Sequence, residues 1–190
     1  MLAGSFRLVT ARLIPRSFRC KQALFPASFP VAVLAVAILA GCGGSSASEP
    51  QGQEKWQSVR GHGFSFQAPA GWRVERAKSR VAATHETELV QVATFPLLRR
   101  YDAKLFHEVA RELRTRMLQI AGETNGRLSG EHTVRAGGIR SHAYDVTVGD
   151  HVDEYTFVLD GKREYLLLCR RSSDQKAAAC ERLATSFERA

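Results

Sequence analysis

Between Leu128 and Cys169 apolar residues recur with a period of two, interrupted only by glycine-centred turns. That period puts alternate side chains on opposite faces of an extended strand. Leu128 to Arg135 and Ile139 to Val148 flank Ala136-Gly137-Gly138, while Val152 to Leu159 and Arg163 to Cys169 flank Asp160-Gly161. An Asp-Gly pair tolerates the positive φ that a two-residue hairpin turn demands. The pattern predicts four strands in a meander. Tyr155, Phe157 and Leu159 share one face. Tyr165-Leu-Leu-Leu-Cys169 is apolar on both faces, which predicts a central strand covered on both sides.

The preceding segments supply the other layers. Trp56 to Arg60 reads as a short first strand, and Phe64 and Phe66 alternate onto one face of the next. Pro69 and Gly71 punctuate a turn, after which Trp72 and Val74 resume the inward face. Glu88 to Phe95 is rich in β-formers. Residues 102 to 121 change period: Leu105, Phe106, Val109, Leu113, Met117 and Ile120 form one stripe at helical spacing. Asp102 is placed to cap this helix and Gly122 to end it. Ser172 to Glu188 reads as a closing helix, with Ser172 and Gln175 as a capping box and Cys180, Leu183 and Phe187 on its inner face. The expected class is α+β: an antiparallel sheet with one long helix mid-chain and a C-terminal helix packed on it.

The N-terminus reads as an address. Residues 1–23 are basic without a single acid, and Val31 to Ala40 is uninterruptedly apolar. Small residues follow, as in a secretory signal peptide. The run is shorter than the roughly 20 residues needed to cross a bilayer. Leu39-Ala40-Gly41-Cys42 resembles the lipobox of bacterial lipoproteins, which implies cleavage before Cys42 and a lipid on its thiol. An ordinary signal peptide and an uncleaved transmembrane helix are the competing readings. The expected organisation is a lipoprotein signal peptide over 1–41, lipidated Cys42 and a flexible linker over 42–55, and a folded domain over 56–190. Gly43 to Gln53 is rich in glycine and serine, and such a tract has an r.m.s. reach of roughly 20 Å.

This address changes the meaning of charge and of cysteine. The chain carries a formal +8, but residues 1–42 hold five basic residues and no acid, leaving 22 basic against 19 acidic residues. The excess needs no nucleic acid to explain it, and export argues against one. With Cys20 in the leader and Cys42 lipidated, Cys169 and Cys180 remain in an oxidising compartment. A structural disulfide is expected, against two buried free thiols or a redox pair that would lack the C-x-x-C spacing.

Phe64-Ser-Phe-Gln-Ala-Pro-Ala-Gly-Trp72 and the element order after it resemble the PsbP-like superfamily, including LpqN-type bacterial lipoproteins. The strand Tyr165 to Cys169, with Cys180 in the closing helix, fits the lipoprotein members. The resemblance covers about residues 56–188. It implies a PsbP-like sandwich acting in binding or assembly, and it brings no catalytic motif.

The residues themselves offer little chemistry. His85-Glu-Thr-Glu88 and His107-Glu-Val-Ala110 lack the second histidine of a zinc motif. Asp150-His-Val-Asp-Glu154 is the densest group of ligand types, read as a solvated turn in preference to a weak divalent site. Gly63-Phe-Ser65-Phe-Gln67 lacks the last glycine of a nucleophile elbow. Arg73, Arg76, Lys78 and Arg80 form a basic run suited to a solvated face, or to contact with anionic headgroups or an acidic partner. The expected function is a non-catalytic, membrane-anchored binding module for an envelope protein or component. It takes no metal or cofactor, binds no nucleic acid and meets the membrane through lipid on Cys42. A lipid or small-ligand carrier is the alternative, and an envelope hydrolase the more distant one.

Overall fold

The computed structural model describes residues 55–174 and 178–190. The leader, Cys20, Cys42 and the linker up to residue 54 lie outside the described residues, as does Gln175. The strands are β1 (Trp56–Gly61), β2 (Phe64–Pro69), β3 (Arg73–Ala77), β4 (Arg80–His85), β5 (Glu88–Pro96), β6 (Arg127–Ala136), β7 (Ile139–Val148), β8 (His151–Asp160), β9 (Arg163–Ser172) and β10 (Glu188–Arg189). The helices are α1 (Phe106–Glu123) and α2 (Ala178–Ser186).

Seven strands form one antiparallel sheet in the order β3-β4-β5-β9-β8-β7-β6, and β1-β2-β10 form a second, smaller sheet. The class is α+β, as the periodicity predicts. The meander β6 to β9 forms as expected, and β9 lies centrally between β8 and β5. Tyr165, Leu166 and Leu167 are buried accordingly.

Each face of the large sheet has its own core. On one side α1 lays Val109, Leu113 and Met117 against Tyr144, Val146, Phe157 and Leu166. On the other, Val59, Phe64 and Phe66 of the small sheet, with Leu183 and Phe187 at the α2 end, cover Val90, Val92, Val158 and Leu167. β2 alternates buried and half-buried positions along its length, so its inward phenylalanines fill this second core while Ser65 and Gln67 point away.

Several boundaries differ from the sequence expectation. Asp102 caps a 3-10 turn over Ala103–Leu105, accepting from the Lys104 N–H at 2.9 Å, and α1 begins after it. Gly122 does not end α1. The helix runs on to Glu123, and Asn125 takes the left-handed conformation (φ 54°). The Gly126 N–H then donates back to the Ala121 carbonyl at 2.8 Å. Ser172 is no helix cap: it closes β9 opposite His151. Glu188 belongs to β10, which pairs with β2. β4 had no clear signature, because Val81-Ala-Ala-Thr84 is short and follows a run of charge.

Candidate functional site

Strand alternation decides what the densest ligand group can do. His151 to Glu154 lie in β8 itself, so the solvated-turn reading holds only for Asp150. Asp153 faces α1, is buried, and is gripped in bidentate fashion by Arg170 at 2.7 and 2.8 Å. Glu154 faces the opposite side, opposite Cys169. His151 stands 3.5 Å from Asp150 and 4.0 Å from Asp153. Among the described residues no group of three or more His, Cys, Asp or Glu is placed to hold a metal ion.

The other candidates disperse. His142 is buried, its ring stacked 3.8 Å from Phe106, and its Nε2–H donates to the Phe106 carbonyl at 2.9 Å. Burial pushes its pKa down, so it fastens the start of α1 as a neutral ring. Tyr144, whose hydroxyl donates to the Ala110 carbonyl at 3.1 Å, is pushed up to about 12 by burial. His85 stacks on Trp72 at 6.1 Å. Ser65 pairs across the small sheet with Arg60 and Glu188. The basic run splits: Arg73 is tied to Glu75 at 2.7 Å, whereas Lys78 and Arg80 lie at and beside the β3–β4 turn.

Cys169 and Cys180 are joined as a disulfide, with Cα atoms 5.4 Å apart. It pins α2 onto β9. Beside it runs a shallow crevice lined by Glu154, Thr156, Leu167, Cys169, Cys180, Leu183 and Ala184, with essentially no enclosed volume.

At its polar end Glu154 meets Asp145, its register partner on β7. A bulge in β6 between Leu128 and Gly130 makes room for them; a Cβ on Gly130 would collide with the Asp145 carboxylate. Burial, and then the Asp145 charge, push the Glu154 carboxyl upward, with His132 and Arg171 pulling the other way. Asp145 Oδ1 and Arg171 Nε are buried there without a hydrogen-bond partner in the described structure. Sequence reasoning missed Asp145 and Arg171. The one available signal was a carboxylate at an inward position of β8, in phase with Val152, Thr156 and Val158.

A carboxyl with a raised pKa stabilises the fold only in its neutral form. The unfolded state ionises near 4.5 and the folded state higher, so ionisation costs stability as pH rises through the folded value. Glu154→Gln is therefore expected to raise the melting temperature at pH 7 by on the order of 3 °C. The gain shrinks to nothing below the unfolded pKa. Thermal unfolding of both forms at pH 7 and pH 4 checks this; a loss at pH 7 would show that the carboxylate itself is needed.

No family model matches the chain, and no curated protein does. Solved structures do. The solution structure of cyanobacterial PsbP (CyanoP) from Synechocystis sp. PCC 6803 superposes with a TM-score of 0.55 at 16% identity, covering 80% of this chain and 99% of that one. LpqN, involved in cell envelope biogenesis of Mycobacterium tuberculosis, aligns with a TM-score of 0.43 at 12% identity over 70% of this chain and 90% of its own. A protein from Bacteroides thetaiotaomicron VPI-5482 aligns with a TM-score of 0.37 at 11% identity, covering 67% of this chain and 45% of that one. At such identities the likeness speaks for architecture alone, and that architecture is the PsbP-like fold.

Proposed function

We propose that this chain is a lipoprotein held by lipid on Cys42 at the extracytoplasmic face of a membrane, where its domain binds an envelope protein or component without catalysis. The sequence of residues 1–42 supports the address. The observation that carries the rest is the closed interior. Both faces of the large sheet are covered by the chain's own elements, with buried cores on each side. The crevice beneath α2 encloses essentially no free volume, whereas ligand pockets begin at roughly 300 Å³. Recognition then falls to the outer surface, which suits a macromolecular partner better than a carried small molecule.

The address is tested by labelling growing cells with palmitate. The wild-type chain is expected to take up label and lose residues 1–41; Cys42→Ala is expected to take up none. Two acyl chains give stable anchoring where one is marginal, so unlabelled protein should not stay on membranes as a processed chain. Label retained by Cys42→Ala would end the anchored reading. The binding role is tested by cross-linking in intact cells and identifying what co-purifies. A reproducible envelope partner is expected, and purified protein that turns over a substrate would refute the non-catalytic role.

A further inference from the structure

One end of the large sheet gathers the β3–β4 turn, the β8–β9 turn and the crossing from β5 to α1. The Leu97 N–H donates to the Lys162 carbonyl at 2.9 Å and the Tyr101 N–H to the Gly161 carbonyl at 2.6 Å. These bonds lace residues 97–101 across the β8–β9 turn. Leu97 is buried in the α1 core, and its neighbour Leu98 is left 70% exposed. Arg99, Arg100, Lys104, Lys162 and Arg163 are all exposed on the same end. The acids among them are occupied: Asp102 caps the 3-10 turn and Asp160 pairs with Arg189. Among the described residues no ion pair engages the five cations. The opposite end of the sheet carries Glu86 and Asp150 beside Arg127 and a Glu75-paired Arg73, so the unpaired positive charge is concentrated at the first end.

We propose that this basic end docks reversibly on an anionic phospholipid surface, with Leu98 entering the headgroup layer and the five cations meeting phosphates. Cations on two chain segments, with an aliphatic tip projecting among them, respond to a charged interface and need no shaped ligand. The inference rests on the anchored reading, which places the domain beside a bilayer. The geometry permits it. The Arg163 guanidinium lies over Gly63 in the β1–β2 turn, so six-residue β1 leads back from this end to Lys55, a distance of about 20 Å. Lys55 lies thirteen residues beyond Cys42, a contour of at most about 45 Å. Anchor and basic end can therefore reach the same membrane.

The test uses the full chain, acylated in a bacterial host and reconstituted in vesicles. One set is phosphatidylcholine alone; the other is equal parts phosphatidylcholine and phosphatidylglycerol. Amide hydrogen exchange is read on both. Residues 97–104 and 160–163 are expected to exchange at least about fivefold more slowly on the anionic vesicles. Each cation removed should lower docking about fivefold, so Arg99→Ala with Arg100→Ala lowers it about 25-fold and erases the difference. Unchanged exchange in α1 of that variant shows its fold intact. Equal exchange on the two vesicles overturns the proposal. So does protection that appears only when polyglutamate is added, which would mark the end as a site for an acidic protein. A chain that floats with neither vesicle defeats the anchored reading instead; exchange with vesicles in excess then still decides the docking end.

Discussion

Arg116→Leu is expected to cost the domain about 3–5 kcal/mol, whereas Arg116→Leu combined with Glu164→Leu should return to within about 1 kcal/mol of the wild type. Glu164 sits on β9 with its side chain 1% exposed, and Arg116 reaches down from α1 to meet it at 2.8 Å. The Arg116 guanidinium also lies 5.1 Å over the Phe157 ring. Removing the arginine alone strands a carboxylate in the α1 core, shut off from bulk solvent. Removing both partners leaves an apolar gap that leucines can fill. The reverse single change, Glu164→Leu, should cost less, because Arg116 is 18% exposed and can turn its head towards solvent. Urea unfolding of the three variants checks the order. An Arg116→Leu protein as stable as the wild type would show that the pair contributes nothing to holding α1 on the sheet.

Loss of the disulfide is expected to cost about 3 kcal/mol, the chain-entropy value for a loop of this size. Cys169 and Cys180 are 11 residues apart in sequence, and both are buried in the core that α2 closes. The effect should be unevenly distributed. α2, and β10 after it, should open first, because α2 is short and, among the described residues, its other large anchors are Leu183 within it and Phe187 just after it. α1 has its own core on the other face and should keep its protection. The double variant Cys169→Ala/Cys180→Ala, followed by urea unfolding and amide exchange, tests both statements. Stability within about 1 kcal/mol of the wild type would mean that packing alone holds α2.

Legibility followed the range of each signal. The meander was readable because hairpins are local: Asp160-Gly161 brings Leu159 opposite Glu164 within a few residues. α1 was readable from its stripe, but its ends were not. Asp102 is a good cap in isolation, yet the 3-10 turn before α1 takes it. The closing helix was overextended at both ends, because Ser172 finds a strand partner in His151 and Glu188 finds one in Ser65. Neither partner can be identified from neighbouring residues. The lipobox-like motif that ends at Cys42 lies outside the described residues.

By itself the sequence determined the α+β class, the four-strand meander, the central apolar strand and the inward stripe of α1. These follow from periods of two and of 3.6 that any local window displays. The tertiary structure alone decided that β5 pairs with β9, matching Val92 to Leu167 across more than seventy residues of chain. It also decided that β1, β2 and β10 form a separate layer. It brought Arg116 of α1 to buried Glu164 of β9, which lies 48 residues further along the chain. Local pattern states which way a side chain points. What waits there is set by long-range pairing, because buried charge must find its partner wherever the fold brings one.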